Sequence, residues 1–346
     1  MRIESVAVKF PSRKVTNDDI FAFIEEASPD VSPVVRKTYL RMTRTLLDKC
    51  GARTRFIRDK EKKEKAQELI LDAMRDALAK ASMDKAEIDL IIYCGVGKGF
   101  LEPANAYFYA DSMKMHASCY DVVDACMSWI RALEIAYHFL MFGKYQKIMI
   151  INGEFNAYDH GFPELFEIQS LSQLEYTFPT YTIGEAASAT ILTRSENEWT
   201  FDFKSVPALC DLCTIPLDGY RDYVNGSKKF GLNGINKFVS FGGQLFSNAD
   251  KYLTDLLREC VKDVDEPVLF FPHAASSKAY ESAARGFIDI EKMYTRVFPE
   301  YGNIVSASVP AGIHLAIEEG RLKRGDKIVL CPASAGMVFS VTQLTY

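Results

Sequence analysis

The chain has 346 residues, with 48% hydrophobic and 25% charged residues and a net charge of −5 from 41 Lys plus Arg against 46 Asp plus Glu. This composition excludes a disordered chain or a peptide-sized scaffold, and the acidic balance leaves no basic field for a dedicated nucleic-acid binder. No apolar stretch approaches the ~20 residues that span a bilayer, and MRIESVAVKFPSRK carries no uninterrupted apolar run, so a cytoplasmic protein without a membrane partner is expected.

From residue 65, KAQELILDAMRDALAKAS returns apolar or small residues every three to four positions and predicts a helix. The charged DKAEID then gives a turn, and LIIYCG a buried strand. GVGKGF at 95–100 lacks the spacing of a phosphate-binding loop and is assigned to the connection after that strand. Helix, turn and strand recur in DACMSWIRALEIAYHFLMFGKYQKIMIING and in SVPAGIHLAIEEGRLKRGDKIVLCPASAG. Short apolar strands after helices imply a sheet covered on both faces. The last two units superpose at an offset of 180 residues, pairing Leu133 with Ile313, Ala136 with Ala316, Lys147 with Lys327, Ile148 with Ile328 and Ile150 with Leu330. An internal duplication is the expectation. Loop-rich text separates the halves at about 154–178 and 210–243, and long connections of this kind carry binding surfaces.

Most of the eight cysteines sit inside apolar runs, which is buried-thiol usage rather than a disulfide framework. Cys210 and Cys213 form a lone C-x-x-C with no second pair at zinc-ligand spacing, so no metal is expected.

Three residues carry chemistry. Cys126 stands where the β-branched run YDVVD gives way to an apolar helix, and backbone N–H groups at a helix N-terminus favour a thiolate and can hold an oxyanion. Asp124 opposes that effect as a neighbouring negative charge. His273 ends the strand-like run EPVLFFPH, at the carboxyl end of a sheet strand, where ligand sites gather. Asn303, in YGNIVSASVPAGI, sits in a loop entering a helix. Taken singly, each also fits a structural role: a core thiol, a satisfied histidine, a turn or N-cap asparagine.

Together, these segments resemble the thiolase-like condensing enzymes, specifically the beta-ketoacyl-acyl-carrier-protein synthase III group. DACMSWIRALEIA looks like the group's nucleophile segment, FPHAASS its His segment, and YGNIVSASVPAGI its Asn segment. GARTRF at 51–56, EIDLIIYCG at 88–95, EPANAYFYADSM at 102–113, TIGEAASATIL at 182–192 and KIVLCPASAGMVFS at 327–340 match in order. The weakest stretch lies between about 195 and 265.

The resemblance implies an α/β fold of two duplicated βαβαβαββ halves in a layered αβαβα arrangement. The first half, 1–195, would carry the nucleophile, and the second, 196–346, His273 and Asn303. It implies an acyltransferase in which Cys126 takes the acyl group of a thioester. His273 and Asn303 then bind the malonyl thioester carbonyl during decarboxylative Claisen condensation to a 3-oxoacyl product. The backbone N–H groups of Cys126 and Ala335 would form the oxyanion hole. Substrates would be acyl-CoA or acyl-carrier-protein thioesters, without a cofactor, and the protein a homodimer. Acyl transfer from Cys126 to a hydroxyl or amine, with His273 as general base, is the alternative within the class. A non-catalytic partner subunit is the alternative outside it, opposed by the presence of all three reactive residues.

The chain departs from the group at several points. Ser334-Ala335-Gly336 replaces a Gly-rich loop, and Met127, Ser128 and Trp129 replace small residues after the nucleophile. Ala274, Ala275 and Ser276 replace Gln, Ala and Asn after the histidine, and Glu185-Ala186 replaces Asp-Gly. Met127, Trp129, Ser276, Ser334 and Gly336 are therefore candidates for a reshaped acyl pocket, with core packing the alternative for Met127 and Trp129. RMTRTLLDKC, before Gly51, lacks the aromatic residue that stacks on the CoA adenine in some members. The inserted HGFPELFEIQSLSQLEY, 160–176, is expected to cover the tunnel mouth or a dimer interface.

Overall fold

The structure, a computed structural model, describes residues 1–346 except for the side chains of 282 and 283. The first half opens with β1 (Arg2–Lys9), β2 (Arg13–Thr16), α1 (Asn17–Ala27), α2 (Pro33–Cys50), β3 (Thr54–Ile57) and α3 (Ala66–Ala81). It continues with β4 (Leu90–Cys94), α4 (Asn105–Met113), β5 (Ser118–Val122), α5 (Ser128–Met141), β6 (Lys147–Glu154), α6 (Ala157–His160), α7 (Leu174–Thr177) and β7 (Ala186–Thr193). Then come β8 (Thr200–Ser205), β9 (Cys213–Thr214), β10 (Val239–Ser240), α8 (Gly242–Cys260), β11 (Leu269–Pro272) and α9 (Ser277–Ala284). The chain closes with α10 (Val297–Tyr301), α11 (Ser308–Glu318), β12 (Lys327–Cys331), β13 (Ala333–Ser334) and β14 (Val338–Thr345).

Two mixed sheets form the frame. The first runs β1-β7-β6-β4-β5, with β4 parallel to β5 and β6, and β7 antiparallel to β6 and β1. The second repeats that pattern: β11 lies parallel to β12, and β14 antiparallel to both β12 and β8. The position that β5 fills in the first sheet has no strand in the second. The stretch lying 180 residues after β5 instead forms the short helix α10.

The layers follow from which side chains each helix buries. Trp129, Ile130, Leu133, Ala136 and Leu140 return every three or four residues along α5, and Val309, Ile313 and Ala316 do so along α11. Both helices bury these faces in one core with alternate residues of β4, β6, β11 and β12, so the pair lies between the two sheets. Ile91, Tyr93, Met149 and Ile151 face the other way, onto α3 and α4. Phe270, Val329, Phe339 and Val341 meet α8 and α9. The result is the αβαβα stack, with α5 and α11 as its middle layer. The predicted helix from residue 65 is α3 and the predicted strand LIIYC is β4. No helix among the described residues is long and apolar enough to cross a membrane.

Candidate active site

The chain leaves β5 and turns sharply at Ala125, whose φ is +46°, into a short 3-10 turn at 125–127 that leads directly into α5. Ser128 closes the corner: its Oγ donates to Ala125 O (2.7 Å) and accepts from Asp124 N (2.8 Å). The Asp124 carboxylate, set against the thiolate by sequence, is paired with Arg131 Nε at 3.0 Å. Cys126 therefore sits on a rigid corner.

Burial pushes the Cys126 thiol well above its usual 9, Cys213 and Glu154 add to the rise, and the Ser334 hydroxyl opposes it. Burial thus opposes the pull of the helix end toward a thiolate. The thiol is protonated at neutral pH and must pass its proton on as the sulfur attacks. Iodoacetamide alkylation of Cys126, followed by intact mass, is thus expected to keep accelerating as pH rises past 9; a plateau near neutrality would contradict this.

His273 directly follows β11 and is buried, and burial alone lowers its ring to about 4, so the imidazole is neutral at working pH. Ser308 Oγ lies 3.1 Å from His273 Nδ1 and 2.7 Å from Val305 O. A hydroxyl has one hydrogen and cannot serve both acceptors at once. With that hydrogen on Val305 O, Nδ1 carries the ring proton and Nε2 is a base. With it turned to Nδ1, Nε2 carries the proton and becomes a donor. Both states that a two-step reaction needs are available to one ring.

Asn303 is fixed through its own peptide, its N–H donating to Thr182 O (2.8 Å) and its carbonyl accepting from Gly184 N (3.0 Å). Only glycine fits at 184, because a Cβ there would stand 2.0 Å from Tyr301 O. Asn303 Oδ1 accepts from Val305 N (3.0 Å), which is the turn role read from sequence. Its Nδ2 makes no hydrogen bond among the described residues and remains available as a donor. Val305 takes φ +49°, a left-handed conformation that costs a β-branched residue about 1–3 kcal/mol and persists only where the surroundings enforce it.

Cys126, His273 and Asn303, from three distant segments, all border one cavity of about 1000 Å³. Ser276, Ser334 and Ala335 also line it. Its walls are mainly apolar: Leu46 from α2, Leu174 from α7, Phe178, Phe238, and Leu245 and Phe246 from α8. Leu171 and Glu175 belong to the inserted segment, which lines this space. Ala335 stays out of the left-handed region, so the backbone tolerates it where the group uses glycine.

The C-terminal part of the chain, residues 258–346, matches the family model described as 3-oxoacyl-[acyl-carrier-protein (ACP)] synthase III C terminal. A beta-ketoacyl-[acyl-carrier-protein] synthase III of Aquifex aeolicus is 25% identical over 100% of this chain and 99% of its own. An acyl-CoA:acyl-CoA alkyltransferase of Xanthomonas campestris is 25% identical, covering 92% of this chain and 94% of that protein. The crystal structure of the 3-oxoacyl-[acyl-carrier-protein] synthase III of Aquifex aeolicus superposes with a TM-score of 0.79 at 24% identity, over 100% of this chain and 99% of that one. Cerulenin-bound Xanthomonas campestris OleA superposes at 0.83 with 23% identity, over 99% and 96%. These structural likenesses establish the fold.

The chain is similar over its whole length to beta-ketoacyl-ACP synthase III proteins, and its C-terminal part matches that group's C-terminal model. In this synthase III relative, three of the pocket candidates are corrected. Met127 and Trp129 are buried in the core and do not border the cavity; the tight turn and helix after Cys126 point them inward, and Trp129 Nε1 donates to Thr190 Oγ1 (3.2 Å). Gly336 is exposed at φ +121° and shapes its loop without reaching the cavity. Conversely, sequence reading missed Ser308, the orienting partner of His273, and Glu154, which is fully buried beside the site. It also missed that Cys213 lines the cavity while Cys210, its C-x-x-C mate, is exposed.

Proposed function

We propose that this protein is an acyltransferase that builds a carbon–carbon bond, loading an acyl group from a thioester onto Cys126 and condensing it with a malonyl thioester to give a 3-oxoacyl product. The observation that carries the reading is the shared border of Cys126, His273 and Asn303 on one apolar cavity. The duplicated halves, 1–195 and 196–346, then contribute the nucleophile and the carbonyl-binding pair respectively.

In the first step the Cys126 sulfur attacks the thioester carbonyl, and its proton passes to His273 Nε2 and on to the departing thiolate. The oxyanion is received by the backbone N–H groups of Cys126 and Ala335. In the second, the neutral His273 ring carries its one proton on Nε2, with the Ser308 hydrogen turned to Nδ1, and together with Asn303 Nδ2 binds the malonyl carbonyl. CO₂ leaves, the enolate attacks the acyl carbon, and the C–S bond breaks to release the Cys126 thiolate, which takes up one proton from solvent. No cofactor enters this chemistry, since the thioester supplies the activation.

The cavity volume lies at the upper end of the ~300–1,000 Å³ range of ligand sites, which favours a medium or long aliphatic acyl group over acetyl. Lys49 and Lys278 are exposed where they border the cavity and suit the phosphate of a pantetheine arm, whether of CoA or of a carrier protein. A homodimer belongs to the same reading: Phe100 and Phe108 stack at 4.6 Å beside exposed Leu101 and Tyr107, and exposed Val123 borders the cavity, so a second copy there would adjoin the site. Eight free thiols suit the reducing cytoplasm.

Incubation with a panel of acyl-CoA and acyl-carrier-protein thioesters, then malonyl thioester, tests the proposal by intact mass and product analysis. One acyl mass on Cys126, CO₂ release and a 3-oxo product are expected. An ester or amide product without CO₂ would overturn it in favour of transfer to oxygen or nitrogen. A 3-oxo product without CO₂ would overturn the malonyl extender and favour chemistry between two acyl thioesters, the pairing in the alkyltransferase relative's name.

A further inference from the structure

Glu154, the last residue of β6, is fully buried, and no lysine or arginine pairs with it among the described residues. Each of its hydrogen-bond partners is a donor. Its carboxyl accepts from Val96 N (3.2 Å), Gly97 N (3.3 Å), Asn156 Nδ2 (2.8 Å) and Ser306 N (3.2 Å), and also from Ser306 Oγ. Ser306 Oγ in turn accepts from Asn152 Nδ2 at 2.5 Å. Burial without a cation raises the Glu154 carboxyl to about 7.

The internal duplication explains where this cluster came from. Shifted by 180 residues, Ala125 falls on Val305, Cys126 on Ser306, Ser128 on Ser308, and Glu154 on Ser334. Ala125 and Val305 are both left-handed, and each accepts at 2.7 Å from the serine three residues on. Ser334 stands beside the first corner as a donor, its Oγ donating to Asp124 O (3.4 Å) and its hydroxyl favouring the Cys126 thiolate, whereas Glu154 accepts from Ser306. One corner carries the nucleophile. Its counterpart carries a serine gripped by a carboxyl, and that second corner is the one whose first residue, Val305, binds Asn303 Oδ1.

We propose that Glu154 is a positioning residue for the condensation step: by holding both the N–H and the hydroxyl of Ser306, it fixes the strained turn at Val305 and so presents the Asn303 carboxamide to the cavity. Glu154 itself touches no substrate. This rests on the assignment of Asn303 to carbonyl binding, and it separates Glu154 from a merely structural acid, because acylation of Cys126 does not use Asn303.

The test compares Glu154→Gln, which turns an NH₂ donor onto surrounding donors, with Ser306→Ala, which removes the two bonds of the hydroxyl, to Glu154 and from Asn152, and leaves the Ser306 N–H on Glu154. Acyl-Cys126 formation is followed by intact mass, CO₂ release from malonyl thioester on the acylated enzyme is timed separately, and amide hydrogen exchange is read over residues 303–307. Both variants are expected to lose about tenfold to a hundredfold in CO₂ release, the scale of an ångström-level misplacement, and much less in acylation, which feels the Val305 turn only through the Ser308 bond to Val305 O, while exchange at 303–307 accelerates. Equal losses in both half-reactions, or no change in either, would overturn the proposal. Should Glu154→Gln fail to fold, Ser306→Ala decides alone by the same criteria. Should wild-type enzyme release no CO₂, the functional reading fails by itself, and unchanged exchange at 303–307 in the variants would separately overturn the clamp.

Discussion

Replacing Cys126 with alanine is expected to abolish the acylated species in intact mass and to reduce turnover to below about one-thousandth of wild type, as loss of a covalent nucleophile does elsewhere. The prediction is not trivial, because Cys213 also borders the cavity and a thioester could in principle load there. Burial raises both thiols and a serine hydroxyl opposes the rise at each, Ser334 at Cys126 and Ser240 at Cys213, so the backbone separates them. Cys126 stands on a turn running into α5, where backbone N–H groups can receive an oxyanion. Cys213 lies in the two-residue strand β9, with no helix start beside it. Cys213→Ala should therefore keep the adduct and Cys126→Ala should lose it. An adduct that persists in Cys126→Ala and vanishes in Cys213→Ala would move the nucleophile and undo the proposed mechanism. Alanine at 126 removes only the sulfur from a corner that Ser128 closes, so thermal stability should change little.

Where sequence was informative, the reason was periodicity enforced by burial. α3, α5 and α11 each bury one stripe, and β4, together with β12 after its exposed Lys327, is apolar because both faces are covered, so their text could hardly read otherwise. The missing counterpart of β5 was not legible. VFPEY is short and apolar enough to pass for a strand, and only packing against β3 and α11 decides for α10. At the site, segment resemblance singled out Cys126, His273 and Asn303, which share one cavity, but their protonation was not legible. The raised thiol and the lowered imidazole both arise from loss of water, which depends on residues such as Leu245 and Phe246 that are remote in the chain. Adjacency to the nucleophile misled for Met127 and Trp129, because a helix rotates each successive residue by about 100° and the cavity sees only one side. Ser308 and Glu154 reach their partners across 35 and 152 residues, and no local pattern marks such contacts.

Asn303→Ala and His273→Ala are expected to divide the two half-reactions. Asn303 offers only Nδ2–H donors to the cavity and no group able to take a proton, so its loss should leave Cys126 loading near the wild-type rate. CO₂ release and 3-oxo product should fall about a hundredfold or more, the effect of removing one donor, about 3 kcal/mol, from a developing oxyanion. His273 is asked for more. A thiol held well above 9 needs a base as it attacks, and a neutral ring oriented by Ser308 is that base, so His273→Ala should slow loading as well as condensation. The double variant should be less impaired in condensation than the product of the single effects, since both groups serve one oxygen. Single-turnover loading and CO₂ release, timed separately on each variant, check the pattern. Unimpaired loading in His273→Ala would assign the Cys126 proton to another acceptor, and impaired loading in Asn303→Ala would mean that the carboxamide acts before any malonyl group arrives.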